Sequence, residues 1–145
     1  MNNVNQSQII SARSRLKNVQ DLNIKFLNHC AANGTCNEIS SAIRVSGQSL
    51  LIETYGHEAT ADARFVREQN NEFCAEYVFR VPLGDEAVEV FRFYLRSNGR
   101  LTSNILGNSE ICDYNNLHIA KHICTPVQLG ALSSRIFKAT QIEGD

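Results

Sequence analysis

From Phe73 to Leu95, aromatic and aliphatic residues recur at every second position on both sides of one short break at Gly84-Asp85. Side chains of a β-strand alternate between faces, so this run specifies a hairpin with one apolar face that another layer must cover. Most of the chain can be understood as material for that covering layer or for extending the sheet.

Pairing must keep the large apolar residues on one face, because a slip of one residue would turn all of them toward solvent. Across Gly84-Asp85, a loop with an odd number of residues sets Phe79 opposite Phe91, Tyr77 opposite Phe93 and Ala75 opposite Leu95, whereas a two-residue loop sets Tyr77 against Arg92. The odd loop is therefore expected. By the same reasoning, Ser97-Asn98-Gly99 forms a three-residue loop with Gly99 left-handed, placing Leu95 opposite Leu101 and Phe91 opposite Ile105. Matching faces one strand earlier puts Phe65 opposite Phe73, Ala63 opposite Ala75, Ala61 opposite Tyr77 and Ala59 opposite Phe79.

That last pairing lays small residues beside large rings. It predicts a hollow on the inner face, lined by Ala61, Tyr77, Phe79, Phe91 and Phe93, to be filled by a helix or by a small apolar ligand. The opposite face carries Glu76, Arg80, Arg92, Tyr94 and Arg96, with Val78 and Val90 among them, and reads as a solvated surface with cross-strand ion pairs.

Further strands are expected at Leu50 to Tyr55, Ala59 to Arg67 and Leu101 to Ile105, with another from Leu117 to Cys124. Ahead of them, Ile9, Ala12, Leu16, Val19, Phe26, Leu27 and Cys30 follow helical spacing, with Ser7 or a neighbour as cap and Asn33-Gly34 as stop. A second, shorter helix is read from Asn37 to Gly47. Near the end, Thr125-Pro126-Val127-Gln128 combines a capping-box pair with proline at the first helical position, so a helix is expected to start there and run to about Ala139. Gly130 within it hints at close packing over that point of the helix.

The fold class that follows is α+β: an antiparallel meander of about five to six strands, covered on one face by an N-terminal amphipathic helix and a C-terminal helix. At 145 residues, 43% hydrophobic and 20% charged, with no repeat and only two prolines, the chain suits one domain spanning 1–145. It resembles, in architecture alone, small binding folds in which a curved sheet wraps a helix.

A formal net charge of -1 argues against a broad electrostatic grip on nucleic acid or on an anionic membrane. No stretch approaches the ~20 apolar residues of a membrane span, and Met1 to Gln8 lacks a signal pattern, so a cytoplasmic location is expected. Five cysteines, an odd number in such a chain, are better explained as reduced buried thiols than as a disulfide framework.

Candidate chemistry is thin. His118, His122 and Cys124 are residue types zinc accepts, but on a strand the histidines would stand ~13 Å apart, too far to share one ion. Only a helix would bring them together. Cys30 with adjacent His29, or Cys112 near Asp113 and His118, could supply a thiol and a base, and His57-Glu58 with Asp62 an acid/base pair. The chain has no Gly-rich phosphate loop, nucleophile elbow or dinucleotide fingerprint, and no cofactor is indicated.

A complete plan for a core without a convergent polar constellation favours a non-catalytic binding or adaptor protein. Its partner would be another protein, or a second copy, met through a sheet edge or an exposed helix face. The alternatives are a small-molecule binder using the alanine-lined hollow and a hydrolase or transferase with a Cys/His site.

Overall fold

A computed structural model describes residues 3–68 and 71–137. The chain opens with a long helix, α1 (Asn3–Asn33), already helical before Ser7. Two short strands, β1 (Thr35–Cys36) and β2 (Ser41–Ala42), pair with each other around a single 3-10 turn at Asn37–Ile39. Seven strands then form one antiparallel sheet in chain order: β3 (Arg44–Ser46), β4 (Ser49–Thr54), β5 (His57–Arg67), β6 (Phe73–Leu83), β7 (Glu86–Leu95), β8 (Arg100–Thr102) and β9 (Glu110–Asp113). Helix α2 (Ile119–Leu132) follows, and a 3-10 turn at Arg135–Phe137 ends the described chain. The class is α+β with an antiparallel sheet, as expected; the main sheet has seven strands where five to six were expected, and the β1–β2 pair stands apart from it. No helix among the described residues is long and apolar enough to cross a membrane.

Both helices pack into one core with the inner face of the sheet. Val19, Phe26, Leu27 and Cys30 of α1 join Ile119, Ile123, Cys124 and Val127 of α2 over Ile52, Ala61, Tyr77, Phe79, Phe93 and Leu101. Phe26 stands edge-on to Tyr77 and Phe93, with ring centroids 5.6 and 5.8 Å away, while Tyr77 and Phe93 stack at 5.0 Å. The buried Tyr77 hydroxyl donates to Asn23 Oδ1 at 2.6 Å, so its polar tip is satisfied by the same helix that covers its ring.

The β6–β7 pairings are those that face consistency requires: Ala75 with Leu95, Tyr77 with Phe93 and Phe79 with Phe91. The odd residue does not lie in the loop. Leu83 pairs with Glu86 across a two-residue Gly84-Asp85 turn, with Gly84 at φ 62°, the geometry whose twist best matches a hairpin. Parity is restored further in, where Phe79 pairs with Phe91 but Arg80 with Glu89, leaving Val90 as a bulge. Local turn preference and face consistency are both met, at different places.

At Ser97-Asn98-Gly99 the three-residue loop forms as expected. Arg96 N–H bonds Arg100 O at 2.9 Å, Gly99 has φ 87° and Leu95 pairs with Leu101. The expected Phe91–Ile105 pairing is absent because β8 stops at Thr102. Between β5 and β6 the inner-face residues are those predicted, but the register differs by two: Ala63 faces Tyr77 and Phe65 faces Ala75. The ladder runs unshifted to Thr60–Arg80, so Ala61 stands across from Phe79. An even slip preserves faces, so alternation alone cannot detect it.

Two element assignments are corrected. The segment 37–47 is a 3-10 turn followed by β2 and β3, not a helix. Ser40 at φ 51° ends the turn, and the β-branched Ile43 and Val45 suit pairing: Ile43 N–H bonds Gly34 O, and Val45 faces Leu50. Gly34 permits this crossing, since a Cβ there would lie 2.5 Å from Cys30 O and 2.6 Å from Ile43 O.

The segment 117–124 is not a strand but, from Ile119, the first turns of α2, and Thr125-Pro126 lies inside that helix rather than at its start. The operative start signal is Asn116, whose Oδ1 accepts from His118 N–H at 2.7 Å and whose carbonyl accepts from Ile119 N–H. Ile119, Ala120, Ile123, Cys124, Val127 and Ala131 then fall on one buried stripe. Pro126 lacks the N–H that would bond His122 O and costs about 3 kcal/mol, a penalty that burial of this stripe can offset.

Candidate functional site

The five residues of the predicted hollow do come together on the inner face. Ala61, Tyr77, Phe79 and Phe93 are wholly buried, and Phe91 is half-buried. Phe26 rests against two of their rings, so a ligand entering there would have to displace α1.

The cysteines are all free and buried. Burial pushes the Cys30 and Cys74 thiols up to about 12 and that of Cys112 up to about 11, and it raises Cys124 as well. Nucleophilic chemistry needs the thiolate, so these sites are poised the wrong way for attack. His29 beside Cys30 is engaged structurally: its Nε2–H donates to Asn116 O at 2.7 Å, tying α1 to the approach of α2. Glu58 pairs with Arg44, and Asp62 accepts from Ser49 Oγ, so the His57-Glu58-Asp62 group is spread among other partners. The strand-based separation of His118 and His122 no longer applies, because they lie one turn apart at the start of a helix. No group of three His, Cys, Asp or Glu side chains placed to hold a metal occurs among the described residues.

The outer face carries the expected ion pairs around Glu76, which meets Arg92 at 3.5 Å and accepts from the Tyr94 hydroxyl at 3.0 Å. Arg96 departs from that picture. Its side chain is only 13% exposed, paired with Glu68 and donating to Ile105 O at 2.8 Å, because residues 103–109 fold across it.

The feature that sequence reasoning missed lies at the other end of α1. Thirty-one helical residues span about 46 Å, whereas the eleven residues of β6 span about 36 Å. Asn23 sits over Tyr77 and Arg15 reaches Glu72 at the foot of β6, so residues before Arg15 project past the sheet. The inward stripe nevertheless continues there. Ile9 and Ala12 belong to the same spacing as Leu16, Val19 and Phe26, yet Ile9 is 55% and neighbouring Ile10 69% exposed. Ile9 and Ala12 border a cleft of about 960 Å³ between the helix and the end of the β5–β6 hairpin, with Arg15, Arg67 and Asn71 on its walls.

Beside the cleft, no strand among the described residues pairs with the end of this sheet edge. β4 covers β5 only from His57 to Asp62, with one further bond from Ala63 N–H to Gln48 O. Odd-numbered β5 residues point their backbone groups toward β4, so the N–H and C=O of Phe65 and Arg67 face outward beyond its end. A second apolar patch, with Ile39, Tyr55 and Leu129 around a groove of about 340 Å³, sits over α2. There Phe137 already covers part of Tyr55, at 5.5 Å between ring centroids.

Fold and surface together define an α+β protein whose helices seal one face of a meander and whose first helix overshoots it. A scan against protein-family models found no match, and searches of curated proteins and of solved structures found none either.

Proposed function

We propose that this chain is a non-catalytic protein-binding module that holds a partner between the projecting third of α1 and the open edge of β5. The observation that carries this reading is the inward stripe of α1 running on past the sheet: an isolated helix of that length is marginal in water, and Ile9, 55% exposed, lines the cleft with Ala12 instead of joining the core. The protonated thiols and dispersed histidines support binding over bond-making. Five unpaired buried thiols fit a reducing compartment, which supports a cytoplasmic location. The near-neutral charge supports a protein partner rather than a nucleic acid.

The test is a photo-cross-linking residue placed at Ser11, exposed on the cleft wall, with a second placed at Leu117, an exposed position on the approach to α2. In extracts of the source cells a discrete adduct is expected at position 11 and not at 117, and an Ala12→Glu change should abolish it. Equal labelling at both positions, or none at position 11, would sink the reading.

A further inference from the structure

Resting on that protein-binding reading, we propose that the partner contributes an acidic, extended segment that adds to β5 as a new edge strand, its carboxylates meeting Arg67 and Arg15. Beyond Ala63, the stretch to Arg67 presents the outward backbone groups of Phe65 and Arg67, ~6.6 Å apart. Only an extended chain has free N–H and C=O groups at that repeat, since a helix spends its own internally. Gln48, bonded to Ala63, limits the added strand at one end, and the cleft beside Arg67 receives it at the other.

Charge selects the kind of segment. The charged side chains on the cleft walls are Arg15 and Arg67, and no carboxylate lines it among the described residues. Arg67 is held by the Asn71 amide oxygen rather than by an acid, and Arg64 on the same strand is 78% exposed with Glu76 only at 4.0 Å. Glu72 offsets Arg15 in part, at 3.2 Å. A second copy docking by this face would set these cations against their own images, since a two-fold interface brings a patch onto itself. A foreign acidic strand meets the opposite sign, and the apolar side chains between its carboxylates find Ile9 and Ala12.

The experiment uses the full chain and three short labelled peptides: one alternating Glu with Val, one alternating Lys with Val, and the acidic one interrupted by prolines that cannot pair along an edge. By fluorescence anisotropy the Glu/Val peptide should bind at least about tenfold more tightly than the other two. Arg67→Glu, at an exposed position, should weaken it while leaving the urea midpoint unchanged. Binding that survives the prolines shows attraction without strand addition and overturns the proposal, as does equal affinity for Lys/Val or indifference to Arg67→Glu. A partner cross-linked at position 11 alongside no acidic preference leaves the binding module standing and removes this inference alone.

Discussion

Gly130 of α2 faces the bulged backbone of β7 so closely that a β-carbon at position 130 would stand 1.9 Å from the carbonyl oxygen of Val90. The bulge that corrects the hairpin's parity thus also sets how near the second helix can lie, and only glycine fits the approach. By helix propensity alone, Gly130→Ala would stabilise α2 by about 1 kcal/mol. We expect instead a loss of about 2 to 4 kcal/mol, because backbone rather than a yielding side chain blocks the new methyl. Urea denaturation decides between the signs, and a stabilised variant would show that the contact is not held in solution.

Phe26 is the plug of the inner face, so Phe26→Ala should lower stability by about 3 to 5 kcal/mol and open a cavity beside Tyr77 and Phe93. Small apolar probes such as benzene should then raise the melting temperature of the variant but leave the wild type unmoved. Wild-type stabilisation by benzene would revive the ligand reading of Ala61, Tyr77, Phe79, Phe91 and Phe93.

Arg96 and Glu68 form a pair with side chains 13% and 7% exposed. Burial raises the Glu68 carboxyl above its usual value, and Arg96 is the chief influence pulling it back. A carboxyl raised on folding makes the folded state hold more protons, so its ionisation lowers stability as pH climbs from the unfolded value through the raised one. Removing the arginine enlarges that effect. Arg96→Met should cost about 3 to 5 kcal/mol at neutral pH, with the deficit shrinking as the solution is acidified toward pH 5 and with Glu68→Gln restoring much of it. A deficit that does not change with pH would assign the loss to the 103–109 loop contacts instead.

Native-state alkylation gives a fourth readout. With burial holding Cys30 and Cys74 up to about 12 and Cys112 up to about 11, none of them should react with iodoacetamide at pH 8 until urea unfolds the chain. Their raised values also mean that stability falls once pH exceeds the unfolded thiol value of about 8.5. Rapid labelling of any one in the folded protein would reopen the nucleophile question.

The candidate surface was legible only in part. The stripe from Ile9 to Cys30 announces a helix, and comparing its length with that of the strands shows the helix must overshoot. The sequence does not say which end overshoots, because that depends on Asn23 meeting Tyr77 rather than some other inward residue. Nor does it reveal the open edge at Phe65 and Arg67, which exists because β4 ends beside Asp62.

What the chain by itself determined is which side chains face inward: the period of two from Phe73 to Leu95 put Tyr77, Phe79 and Phe93 in the core, and the turn glycines Gly84 and Gly99 were marked by composition. Tertiary structure decided the rest. The β5–β6 register slid by two without moving a residue to the other face, the odd residue settled at Val90 under α2, and residues 119–124 became a helix despite their alternation. Alternation is a binary signal carried by neighbours in sequence. Even slips, bulge positions and the state of a short apolar run depend on contacts between distant segments, which only the assembled core supplies.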